Sequence, residues 1–193
     1  MNQTTDFTAE QFFSRRDSLP EGGRWVELVE GQVVVLEPPD MNHGTAVFNL
    51  SKALAEHLQQ TVDENTGYFC FELGILVARD PDTVRFPAIS YLAEGRRFEQ
   101  TDSACADTPP RLVVEVASTR DRRKHLSDRV SAYHEHGVEL VWIADPVEQH
   151  VHSAHRGQRV QTLGVRERLE GKSVLRAFSM SVEDVFAAPK WWK

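Results

Sequence analysis

The stretch that most constrains what this chain can fold into is Leu112 to Ser118, which reads Leu-Val-Val-Glu-Val-Ala-Ser. Val113, Val114 and Val116 are β-branched, and a run this apolar reads as a strand covered on both faces. Pro109 and Pro110 ahead of it and the polar residues from Ser118 to Arg123 behind it mark its ends. Glu115 is the exception within it. A carboxylate taken out of water costs several kcal/mol unless something pairs with it, so Glu115 needs a metal ion, a basic side chain or a proton. A structural ion pair and a functional site both satisfy that demand.

The rest of the chain can be arranged around this strand. Thr8 with Gln11 is a capping-box pair that opens a short helix carrying Phe12 and Phe13, ended by Pro20-Glu21-Gly22-Gly23. Trp25 to Val29 and Gln32 to Leu36 form a hairpin around Glu30-Gly31. After the Pro38-Pro39 loop, Val47, Leu50, Leu54 and Leu58 recur at helical spacing and predict a helix lying on a sheet. Gly67 to Phe71, Gly74 to Arg79 and Val84 to Tyr91 read as strands, with Asp80-Pro81-Asp82 turning between the last two. Ala93 to Pro110 has no period and reads as a loop. Asp121 to Glu135 is expected to be a helix with Leu126, Val130 and Tyr133 on one face, ended by Gly137, and Leu140 to Ala144 a second buried strand. Strand, helix, strand at these lengths implies a parallel crossover. His150 to Ala154, Arg159 to Gly164 and Val165 to Leu169 read as an antiparallel meander, and Ser181 with Asp184 caps a last helix to about Ala187. The expected fold is a single α/β domain over residues 1–193, a mixed sheet flanked by helices.

Composition narrows the function. A net charge of −7 over 193 residues argues against coating nucleic acid nonspecifically, while leaving room for a local basic patch. Cys70 and Cys105 are isolated and signal neither zinc nor a disulfide framework. No apolar run approaches the ~18 residues of a membrane span, and no basic-then-apolar start is present, so no membrane contact and a cytoplasmic location are expected. There is no Ser-His-Asp or Cys-His arrangement to support a hydrolase of those kinds.

Several pieces match a known pattern in order: Glu27-Leu-Val-Glu-Gly31, Pro38-Pro39 with His43-Gly44, Arg85-Phe-Pro-Ala88, Leu112 to Ser118, Tyr133 with Gly137-Val138, and Val141-Trp-Ile-Ala-Asp-Pro146. Together they resemble the Uma-type putative restriction endonuclease family, a branch of the PD-(D/E)XK nuclease superfamily. The resemblance implies a restriction-endonuclease-like fold and Mg²⁺-dependent hydrolysis of DNA, with a homodimer plausible. In such a site carboxylates hold the metal, which activates water and polarises the phosphate, and a Lys stabilises developing charge. By resemblance Glu115 and Glu27 are the metal ligands, the first acid falls at position 88, and the basic group falls at position 129.

At two of these positions the chain departs from the pattern. Ala88 stands where the Asp is expected, and a methyl group cannot ligate a hard cation. Arg129 stands where the Lys is expected; it keeps the charge but cannot give up a proton. Asp80 and Asp82 are poor substitutes, because Asp82 lies roughly 20 Å up an extended chain from residue 88 at ~3.3 Å per residue. Arg129 is spaced to face the Glu115 strand, and a Glu115–Arg129 pair would remove the need for a metal. Two hypotheses follow: a nuclease using Glu115, Glu27 and Arg129, or a non-catalytic descendant that binds nucleic acid or protein, with that pair structural.

Remaining signals are weaker. His43, in the loop entering the second helix, either touches phosphate or caps and packs. Arg120, Arg122, Arg123 and Lys124 form a basic cluster directly after the Glu115 strand, with Arg122 and Lys124 the phosphate-binding candidates against a reading as a solvated helix start. His150, His152 and His155 read as a solvated strand face rather than a metal site. Trp191 and Trp192 mark either an interface or a tail folded back.

Overall fold

The structure is a computed structural model that describes residues 6–61, 67–93, 105–106 and 108–189. Thr8 caps α1 (Ala9–Arg15): its hydroxyl accepts from the Gln11 backbone N–H while the Gln11 side chain accepts from the Thr8 N–H. β1 (Val26–Val29) and β2 (Gln32–Val35) pair antiparallel, with Val29 opposite Gln32. Glu30 and Gly31 both take positive φ, 49° and 77°, the backbone that matches a two-residue turn to strand twist.

Asp40 accepts from the His43 backbone N–H at 2.8 Å and starts α2 (Met41–Gln60), which buries Ala46, Leu50 and Leu54. β3 (Tyr68–Phe71) and β4 (Ile75–Ala78) follow. The strand expected over 84–91 is two strands, β5 (Thr83–Arg85) and β6 (Ile89–Leu92), belonging to different sheets. Phe86-Pro87-Ala88 separates them, and Pro87, lacking an N–H, cannot continue a ladder through the break. Asp82, in the turn before β5, accepts from the Ala9 N–H at 2.7 Å and so ties down α1.

β7 (Leu112–Val116) is the Glu115 strand. The helix expected over 121–135 is also divided, into α3 (Arg120–Arg123) and α4 (Leu126–His136). Lys124 is extended and His125 has φ 55°, so α4 begins with its own helical phase, which buries Arg129 and Tyr133, four residues apart. Then come β8 (Leu140–Asp145), β9 (His150–His155), β10 (Gln161–Leu163), β11 (Arg168–Glu170), β12 (Ser179–Ser181) and α5 (Val182–Phe186), the last capped by the Ser181 hydroxyl as expected.

β10, β9, β8, β7, β6 and β3 form one mixed sheet in that order; β7 and β8 run parallel and the other pairs antiparallel. A second sheet has the order β2, β1, β5, β4. The expected meander stops at β10, because β11 turns to pair with β12, burying Leu169 in the core. β7 is covered on both sides: Leu112, Val114 and Val116 pack with α2, while Val113 and Ala117 pack with Tyr133 of α4. Alternation puts Glu115 on the α4 side. A third apolar cluster, Phe12, Val26, Leu28, Val84 and Phe86, lies under α1. Much of the loop expected over 93–110 and the Trp191-Trp192 pair lie outside the described residues.

Candidate functional site

Glu115 meets its basic partner on α4. Arg129 donates to Glu115 Oε1 from Nε at 3.3 Å and from Nη2 at 3.1 Å. The same guanidinium grips Glu27 with both ends, Nη1 to Oε2 at 2.8 Å and Nη2 to Oε1 at 2.7 Å. This fork-to-fork contact is the strongest geometry available to such a pair. Tyr133, one turn further along α4, donates its hydroxyl to Glu115 Oε1 at 2.6 Å, and Arg85 donates to Glu27 Oε2 at 2.6 Å.

The cluster is shut away from water. Glu27, Glu115 and Arg129 are 1%, 4% and 6% exposed, and Tyr133 is fully buried. Burial alone would raise the Glu27 carboxyl, but the charges and hydrogen bonds of Arg129 and Arg85 outweigh it and hold the group down at about 2. Burial likewise opposes the charge on Arg129, and Glu115 and Glu27 overcome it, keeping the guanidinium firmly protonated. Burial and the neighbouring Glu115 carboxylate push the Tyr133 hydroxyl well up, so it is a neutral donor.

Glu27, Glu115 and Arg129, predicted as one site, are therefore brought together. Ala88 is buried among apolar side chains and offers no ligand atom. Lys124 points to solvent and pairs with Asp121 at 2.7 Å. Arg122 and His43, by contrast, are 7% and 5% exposed. Burial first and the Arg122 charge second lower the His43 imidazole to about 4, leaving it neutral at pH 7. His152 lies 2.9 Å from the Thr162 hydroxyl and His155 lies 3.1 Å from that of Ser173, each within a local polar contact. Among the described residues no group of three or more His, Cys, Asp or Glu side chains is arranged to hold a metal ion.

Three contributors escape sequence reading. Arg85 reaches Glu27 because Leu28 of β1 pairs with Val84 of β5, which sets residues 27 and 85 side by side. Tyr133 is legible as part of an apolar stripe, and its spacing of four from Arg129 is the signal that its hydroxyl shares that residue's target. Glu72, just after β3, carries a third carboxyl that senses the cluster. The residue is exposed, and partial desolvation of its carboxyl first, then the charges of Glu115 and Glu27, raise it against the pull of Arg122 and Arg16 to about 7.

The family model of Uma2, described as putative restriction endonuclease, matches residues 9–183. Among solved structures, a putative nuclease belonging to DUF820 from Anabaena variabilis matches with a TM-score of 0.74 at 19% identity, covering 93% of this chain and 97% of that one. No curated protein matches the sequence.

Proposed function

Because the chain belongs to the Uma2 putative restriction endonuclease family, we propose that it is a nucleic-acid-binding protein on a nuclease scaffold that has exchanged metal-dependent cleavage for an internal ion-pair cluster. The observation that carries this is the contact of one guanidinium, Arg129, with both Glu27 and Glu115. Restriction endonuclease relatives generally depend on a divalent cation, and Mg²⁺ asks for near-octahedral oxygen ligands. The residues present do not fit that demand. Both Glu27 oxygens and Glu115 Oε1 are committed to Arg129, Arg85 and Tyr133, and position 88 contributes a methyl group.

Charge points the same way. Two carboxylates and two guanidiniums already balance, so a divalent cation would add an uncompensated double charge beside Arg129. At ~4 Å and an effective dielectric of ~20, that repulsion alone is about 8 kcal/mol. The Arg cannot relieve it by losing its proton. Nucleic acid stays as the proposed partner through family membership, and a homodimer is the assembly proposed.

Plasmid cleavage in Mg²⁺ and Mn²⁺ tests the reading, comparing the native chain, Glu115→Ala, and the double substitution Ala88→Asp with Arg129→Lys. The expected result is no cutting by the first two and cutting gained by the third. Cleavage by the native chain that Glu115→Ala abolishes would defeat the proposal, and Glu72 would then be the first acid to examine.

A further inference from the structure

Arg122 is a buried charge that the Glu27–Arg129–Glu115 cluster does not absorb. It is 7% exposed. Among the described residues no carboxylate lies within ion-pairing distance of it, and its Nε has no acceptor. A guanidinium 7% exposed as a residue, with its Nε buried and unpaired, is costly unless an anion answers it. Of the other buried polar atoms without a hydrogen-bond partner, two lie close by: Ser118 Oγ and His43 Nδ1, in residues 6% and 5% exposed.

These groups come from three parts of the chain and meet at one end of β7. Ser118 lies two residues beyond the strand, and Arg122 sits in α3, whose cap is Thr119. His43 comes from the first turn of α2, where its ring senses the Arg122 charge and the Val116 backbone. The amide end of α2 is capped by the Asp40 carboxylate, which also faces His43. Glu72 senses Arg122 without forming an ion pair with it.

We propose that Arg122, Ser118 and His43 form a binding site for a terminal phosphate monoester, separate from the Glu27–Arg129–Glu115 cluster. Arg122 and Ser118 are donors to the phosphate oxygens. His43 selects the monoester. In this assignment the unpartnered Nδ1 of the neutral ring is the acceptor nitrogen, which matches the one hydroxyl of a singly protonated phosphate monoester; a phosphodiester has no such proton. That the phosphate is the 5′ end of a nucleic acid rests on the proposed function. The existence of the site does not.

The test is binding of a short single-stranded DNA, labelled at its 3′ end and bearing either a 5′-phosphate or a 5′-hydroxyl, followed by fluorescence anisotropy in EDTA so that cleavage is irrelevant. Competition by inorganic phosphate is measured against chloride at equal ionic strength. The native chain is expected to prefer the phosphorylated end by about tenfold, the scale of one charge-assisted hydrogen bond. Inorganic phosphate should compete while chloride does not. Arg122→Gln should erase the preference, and Ser118→Ala should reduce it several-fold; the second variant carries the test if the first does not fold. Equal affinity for the two ends, or a preference that survives both substitutions, overturns the assignment. Neither result bears on whether the native chain cleaves DNA.

Discussion

Arg129→Met isolates the ion-pair cluster. Methionine keeps an unbranched apolar side chain on α4 but removes the charge and the hydrogen bonds to both acids. Glu27 would retain Arg85, whereas Glu115, 4% exposed, would keep only the Tyr133 hydroxyl. Removing one partner of a buried pair costs about 3–5 kcal/mol, a large share of the about 5–15 kcal/mol that holds a domain folded. The variant should fold but be fragile. Its pH dependence carries the diagnosis. In the native protein Glu27 is depressed to about 2, so its contribution is fully present above the ordinary carboxylate value of 4.5 and is lost as pH falls toward 2. In the variant an unpaired buried carboxyl favours its protonated form, so the folded state binds the proton more tightly than the unfolded chain does. The penalty therefore shrinks as pH falls from neutrality toward about 5. Urea unfolding followed by tryptophan fluorescence, with the fully buried Trp142 among the reporters, would measure this. A variant as stable as the native protein, or a gap that does not change with pH, would refute the reasoning. Adding Glu115→Gln should recover much of the loss, because Glu27 keeps Arg85 and no carboxylate is left unpaired.

Other expectations follow from the same contacts. Tyr133→Phe should cost about 1–3 kcal/mol in urea unfolding by leaving Glu115 short of a donor. The Glu72 carboxyl is raised from 4.5 to about 7, so its ionisation opposes folding and native stability should decline across that interval as pH rises; Glu72→Gln should flatten the decline, read as melting temperature against pH. Millimolar Mg²⁺ should leave the native melting temperature unchanged, where binding to the folded state alone would raise it. Gly31→Ala should lower the melting temperature, because position 31 has φ 77° and an added Cβ would lie 2.8 Å from the Asp6 side chain.

Sequence and structure agree where the physics is local. The Thr8–Gln11 cap, the Glu30-Gly31 turn, the α2 stripe and the both-face burial of β7 each depend on residues close together in the chain, and each is present. Expectations fail where a neighbour in space overrules the pattern. Val84 to Tyr91 reads as one β-rich run, yet Pro87 divides it between two sheets. Asp121 to Glu135 reads as one helix, yet His125 at φ 55° resets the phase so that Arg129 and Tyr133 face Glu115 together. The basic run after β7 reads as a single cluster, and packing separates it into the buried Arg122 and the solvent-facing Lys124.

By itself the sequence determined that a carboxylate lies in a buried strand, that a basic residue on the following helix can answer it, and that position 88 has no acid. Those facts concern residue type and periodicity, which a chain carries openly. Only the tertiary structure decided that Arg129 also holds Glu27 across 102 positions, that Arg85 reaches the same acid across 58, and that Arg122 is left unpaired. Such contacts depend on which strands become neighbours and which side of a helix turns inward. The pairing of β1 with β5 and the start of a new helix after His125 fix both, and neither is written in the spacing of apolar residues.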